Sequence, residues 1–174
     1  MTERRKGASR VSRYRGRAVR ATWRTVSSLI PANGNVDDFV AAVSEQRGRR
    51  IAVLGCSLPD DGPSGFWAPT PDVDYILHAD SITAEYRETV ICHEIAHMVL
   101  GHVAREGLMD TRAIAPSVSP AVAARFLARE GYPDEIESDA EMLATLIAAE
   151  LVARAEAGSR AATQTQDHIS ARLR

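Results

Sequence analysis

The sequence predicts an α+β domain: a small three-stranded sheet packed on a helix that carries His-Glu-x-x-His, with a second long helix supplying a carboxylate to those histidines. Three observations predict it. Three short runs of strand-forming residues, bounded by turn formers, occupy the first half of the chain. A strongly apolar helical segment, ICHEIAHMVLGH at 91–102, follows them. Further on, DEIESDAEMLATLIAAELV at 134–152 repeats apolar and small residues at helical spacing.

Taken in order, Val19, Trp23, Val26 and Ile30 set a helical spacing over 17–30, and Pro31 ends it. Asn35 or Asp37 caps a second helix through Phe39, Val40 and Val43, closing near Gly48. Residues 50–54, 66–68 and 74–77 read as strands, with the turn-rich SLPDDGPSG between the first and second. Ser81 or Thr83 caps the motif helix, expected over 84–102. Ser119-Pro120 predicts the start of a helix over 121–129, which Gly131-Tyr132-Pro133 breaks. The last helix is expected over 134–157. The domain therefore spans 16–157, between a disordered basic arm at 1–15 and a flexible tail at 158–174.

With 174 residues, 45% of them hydrophobic, the chain can bury a substantial core, which excludes global disorder. No apolar run approaches twenty residues, and the opening MTERRKGASR is polar and basic, so a cytoplasmic protein without membrane contact is expected. Two cysteines, Cys56 and Cys92, make no disulfide framework and are expected as buried packing residues. Charge is unevenly placed. Through Arg24 there are nine basic residues and one acidic; the remainder carries twelve basic and twenty-two acidic. A basic arm of this kind can touch nucleic acid, but no aromatic interleaving or reading motif accompanies it, so direct nucleic-acid binding is not the main expectation.

The chemistry is concentrated at residues 93–97. On a helix, His93 and His97 project from one face and can share one metal ion. Glu94, beside the first ligand, can reach a water on the same ion and take its proton, which makes the expected reaction a hydrolysis. Zn²⁺ is the expected cofactor, and Mn²⁺ suits the same donors. Ile91, Ile95, Met98, Val99 and Leu100 surround the polar trio, and polar groups in such a setting need a compensating partner.

A catalytic zinc takes a third protein ligand. His102 lies nine residues after His93, about 180° away around a continuing helix, and the long histidine motif would need its last ligand one position later. His102 is therefore expected to end the helix or bond nearby backbone, close to the cleft. Glu137 on the long helix is the preferred third ligand, with Asp139 as the alternative. Glu141 shares a face with Glu137 and is assigned to orienting a histidine ligand through its ring N–H. Ala140 and Ala144 on that face would let the two helices approach closely. Tyr75, His78 and His102 are candidate donors to a reaction oxyanion or to substrate. Strand 66–68 or 74–77 could offer an open edge to an extended peptide.

GPSGFWA, DYILHAD, HEIAHMVLGH and ESDAEMLATLI occur in that order, and on these motifs the chain resembles the ImmA/IrrE family of small metallopeptidases over about 36–152. The resemblance implies a minimal gluzincin with His93, His97 and Glu137 on the metal and Glu94 as base. At 139 the family pattern has glutamate where this chain has aspartate. It also implies limited regulatory proteolysis of a helix-turn-helix repressor or antitoxin partner, since this chain shows no such motif of its own. The competing reading is a non-catalytic zinc-containing module, regulatory or toxin-like, that binds a transcription factor.

Overall fold

The computed structural model describes residues 16–58, 62–102 and 133–172, with side chains through 164. The expected basic arm and the helix expected over 121–129 lie outside the described residues. Helix α1 covers residues 16–26 and tightens into a 3₁₀ turn, Ser27–Leu29. It is followed by α2 (Val36–Arg47), β1 (Arg50–Cys56), β2 (Gly65–Pro69), β3 (Val73–Ala79), α3 (Ala84–Val99) and α4 (Asp134–Arg172). The architecture is α+β, a small sheet beside two helices that share the site.

Local chemistry sets the helix boundaries. The Asn35 side chain accepts the Asp38 N–H at 3.0 Å, and Asp37 and Asp38 place negative charge in the first turn. At the other end, Gly48 adopts φ +61° and donates to the carbonyls of Glu45 and Ser44. Thr83 caps α3 by accepting from Tyr86 N at 3.3 Å. Pro133 opens α4, its carbonyl accepting from Ile136 N and Glu137 N.

The sheet runs β1-β3-β2, with β1 parallel and β2 antiparallel to β3. Residues 74–77 are thus in the central strand, paired on both sides, and cannot be an open edge. In the register, Val53, Ile76 and Trp67 align across the three strands, as do Leu54, Leu77 and Phe66. The first row faces the helices and joins the main core with Phe39, Ile91, Ile95, Leu143 and Ile147. The second row lies on the other face with Cys56, Ala68 and Tyr75. Alternation along each strand divides the sheet in this way.

Two tight approaches fix the helices. At Gly65 an added Cβ would collide with Val90 Cγ1 of α3 and lie 2.8 Å from Leu77 O. Gly34, at φ +67°, lies against the α4 backbone, where a Cβ would collide with Leu151 O. Arg154 of α4 reaches back to the carbonyls of Ser27 and Ile30, satisfying groups at the end of the 3₁₀ turn.

The long helix continues well past its expected end at residue 157, to Arg172. Gly158 costs only about 1 kcal/mol relative to alanine in a helix. No proline or cap follows it, and the exposed Glu156–Arg160 pair, 3.4 Å apart, spans it at helical spacing. No described helix is long and apolar enough to cross a membrane.

Candidate metal centre

Helices α3 and α4 pack along each other, with Ala140 fully buried and Ala144 nearly so at their contact. This approach carries Glu137, in the first turns of α4, to the two histidines of α3. His93 Nε2 and His97 Nε2 are 3.0 Å apart, and Glu137 Oε2 lies 3.3 Å from the former and 3.7 Å from the latter. A tetrahedral zinc with bonds of about 2.05 Å holds its ligands roughly 3.3 Å apart. The three separations bracket that spacing, so the donor set fits a divalent ion in size and in chemistry. His93, His97 and Glu137 form a candidate metal-binding triad of the HExxH gluzincin kind.

The triad is open on one side. His97 is 1% exposed, whereas His93 and Glu137 have side chains 31% and 39% exposed. A cavity of about 1130 Å³ lies over them. One wall is β2 and its lead-in from Pro63 to Phe66, another is the α3 face of Tyr86, Thr89, Val90 and Cys92. The third is the small-residue face of α4 from Glu141 through Ala144, Thr145, Ala148 and Ala149 to Val152.

Glu94 lines the same cavity but is only 5% exposed, and its Oε2 accepts the main-chain N–H of Trp67 at 2.6 Å. The sheet register explains this contact. Ser64 and Thr70 bond inward to β3, so alternation turns the main-chain groups of Gly65, Trp67 and Pro69 to the outer side of β2. Trp67 N–H therefore points away from the sheet, and Glu94 satisfies it. Sequence reasoning did not find this partner, because the direction of a backbone N–H has no side-chain signature.

His102 lies elsewhere than a continuing helix would place it. Helix α3 stops at Val99, and Gly101 at φ +72° donates to Met98 O at 3.3 Å while His102 N donates to His97 O at 3.0 Å. The reversal folds the His102 ring back on His97, with the two Nδ1 atoms 3.0 Å apart. Glu141, expected to orient a histidine, is exposed on the cavity wall, and His97 Nδ1 meets the ring of His102. Asp139 is neither in the triad nor on the cavity wall.

The three candidate oxyanion or substrate donors also fall outside the cavity lining. Tyr75 is on the sheet face turned away from the helices, packed with Leu77 and Phe66. The His78 ring contacts the Ala79 carbonyl at 3.1 Å. His102 stands behind His97.

The far side of the centre is braced by charge. Asp74 of β3 is fully buried and meets Arg47 at 2.9 Å and Arg49 at 3.0 Å. Arg47 also donates to Met98 O at 3.1 Å, tying the C-terminal turn of α3 to the sheet. Burial, aided by Glu88, pushes the Cys92 thiol up to about 12, and burial with Asp80 pushes Cys56 up to about 11. Both are inert packing thiols at neutral pH.

No protein-family model, curated protein or solved structure matches the chain. The candidate metal centre rests on its geometry.

Proposed function

We propose that the protein is a zinc-dependent endopeptidase of the ImmA/IrrE kind, cutting a regulatory protein in the cytoplasm. The observation that carries this reading is the position of Glu94, a buried carboxylate next to the triad that faces an open cavity. A zinc that only held the fold together would need neither a base nor a cavity of that size.

His93, His97 and Glu137 would hold a divalent ion, which would supply Lewis acidity and lower the pKa of a water there. Glu94 takes the proton of the attacking water and returns one to the leaving nitrogen. The Trp67 N–H pins one carboxylate oxygen and so fixes where that proton is received. On the outer side of β2, Gly65 supplies the main-chain N–H open to an extended peptide, because Trp67 gives its own to Glu94 and Pro69 has none. Few main-chain contacts imply that selectivity comes from docking a particular partner, and a helix-turn-helix repressor or antitoxin is the proposed one.

Metal content is the first test, by elemental mass spectrometry on the wild type and on Glu137→Ala and Asp139→Ala. The expected result is one zinc per chain, lost with Glu137 and kept with Asp139. Chelator-sensitive cleavage of candidate regulators that disappears in Glu94→Gln would then establish the peptidase. Stoichiometric metal without any Glu94-dependent cleavage would favour the non-catalytic binding module, and no metal uptake would end both readings.

A further inference from the structure

We propose that His102 is a positioning residue for the metal ligand His97, accepting its ring proton and fixing the tautomer that presents Nε2 to the metal. The proposal rests on the reading of His93, His97 and Glu137 as a metal centre.

The helix terminus prepares the contact. The turn after α3 bonds His102 N to His97 O at 3.0 Å, so the residue that carries the second ring is already tied by main chain to the ligand it serves. Gly101 provides the left-handed conformation this reversal requires. The rings then meet at a centroid distance of 5.0 Å and an angle of 68°, edge against face, with Nδ1 to Nδ1 at 3.0 Å.

The proton placement follows from the other side of the His97 ring. Its Nε2 faces His93 Nε2 and Glu137 Oε2, which is the donor cluster of the triad. To offer a lone pair there, neutral His97 must carry its proton on Nδ1. His97 is 1% exposed, and a buried N–H requires an acceptor. His102 Nδ1 is at hydrogen-bond distance to be that acceptor, which puts His102's own proton on Nε2. Metal-ligating histidines commonly give this bond to a carboxylate or a backbone carbonyl. Here the carboxylate expected for the task, Glu141, is exposed on the cavity wall, and the His102 ring stands at His97 Nδ1.

The test uses the full chain with zinc and with cobalt as the spectroscopic probe. Zinc affinity is read by chelator competition, cobalt coordination by visible absorption, and the fold by thermal melting of the metal-free protein. His102→Leu removes the acceptor; His102→Asn retains one, its Oδ1 standing where Nδ1 stood. The expected result is zinc affinity about 10–100-fold weaker in His102→Leu, with altered cobalt bands. His102→Asn should recover most of both, while both metal-free variants still fold, as a single cooperative melt shows. Unchanged affinity in His102→Leu, or equal loss in both variants, overturns the positioning role while leaving the metal centre standing. A wild type that takes up neither metal overturns the metal centre and this inference with it.

Discussion

Trp67 donates its main-chain N–H to Glu94 Oε2 at 2.6 Å, so the carboxylate beside the metal triad also closes the outer edge of the sheet. The two roles depend on each other. The edge N–H would be an orphan inside the protein without Glu94, and Glu94 would be a largely buried carboxylate without this donor.

Glu94→Ala is therefore expected to lower stability by about 1–3 kcal/mol, since it strands the Trp67 N–H. Glu94→Gln keeps an amide oxygen as acceptor and should cost less. Both should retain metal and lose hydrolysis by about 10²–10⁴-fold, the usual worth of a positioned proton carrier. Urea denaturation of the metal-free variants, beside their metal content, separates the structural role from the chemical one. Equal stability of Glu94→Ala and wild type would remove the edge-closing role.

Gly65→Ala tests the approach of α3 to the sheet. The new methyl would collide with Val90 Cγ1 and sit 2.8 Å from Leu77 O, an atom of the central strand that cannot rotate away. Overpacking of this kind costs about 1–3 kcal/mol. Parting α3 from β2 would also stretch the Glu94–Trp67 bond. Adding Val90→Ala relieves the first collision and leaves the second, so denaturation midpoints should show partial recovery in the double variant. Full tolerance of the single variant would mean that β2 and α3 separate freely.

Asp74→Ala leaves Arg47 and Arg49 facing a buried gap. Removing one partner of a buried ion pair costs about 3–5 kcal/mol. Both arginine side chains are a quarter or more exposed, so about 2–3 kcal/mol is the better expectation after solvent screening. Arg47 also holds Met98 O, so zinc affinity should fall modestly with stability. Chemical denaturation and chelator competition on one variant check both effects.

The buried thiols predict a pH dependence at the alkaline end. Both folded-state values lie above the ordinary 9.0, at about 11 for Cys56 and about 12 for Cys92. Above pH 9 the unfolded chain therefore binds fewer protons than the folded one, and stability declines as pH rises from 9 toward 11–12. Below pH 9 the contribution is intact. Replacing both cysteines with alanine should flatten this part of the stability profile relative to wild type. At pH 8 a thiol reagent should label neither cysteine until denaturant is added.

Much of this arrangement was legible in the residues. Periodicity locates the strands and α3, Asn35 and Thr83 are each one of two caps the residues offer, and of the two carboxylates open as third ligand it is Glu137 that joins His93 and His97. Less legible was whatever depends on main-chain direction or long-range pairing. The β2–β3 hairpin follows from its short connection, but the parallel pairing of β1 with β3 has no local cue. Position 102 shows the limit well. A helix continued through 102 sends His102 to the opposite face, and only the φ of Gly101 returns it to His97. The length of α4 was underestimated because its apolar pattern fades after Val152, while helix propensity carries the backbone onward.

The close packing of α3 and α4 yields the sharpest prediction about the metal centre. Ala140 lies one turn beyond Glu137 and is 0% exposed between the helices. Ala140→Leu forces extra volume into that contact, at a cost of about 1–3 kcal/mol. It also pushes α4 outward, moving Glu137 Oε2 from its present 3.3 Å and 3.7 Å to the two histidines. Ala140→Gly costs about 1 kcal/mol through helix propensity alone and leaves the approach intact. Both variants should be less stable than wild type, but only the leucine variant should lose zinc affinity in chelator competition. Retained affinity in Ala140→Leu would show that the spacing of the helices is set further along α4, near its middle, where Gly34 and Arg154 hold it to the N-terminal segment.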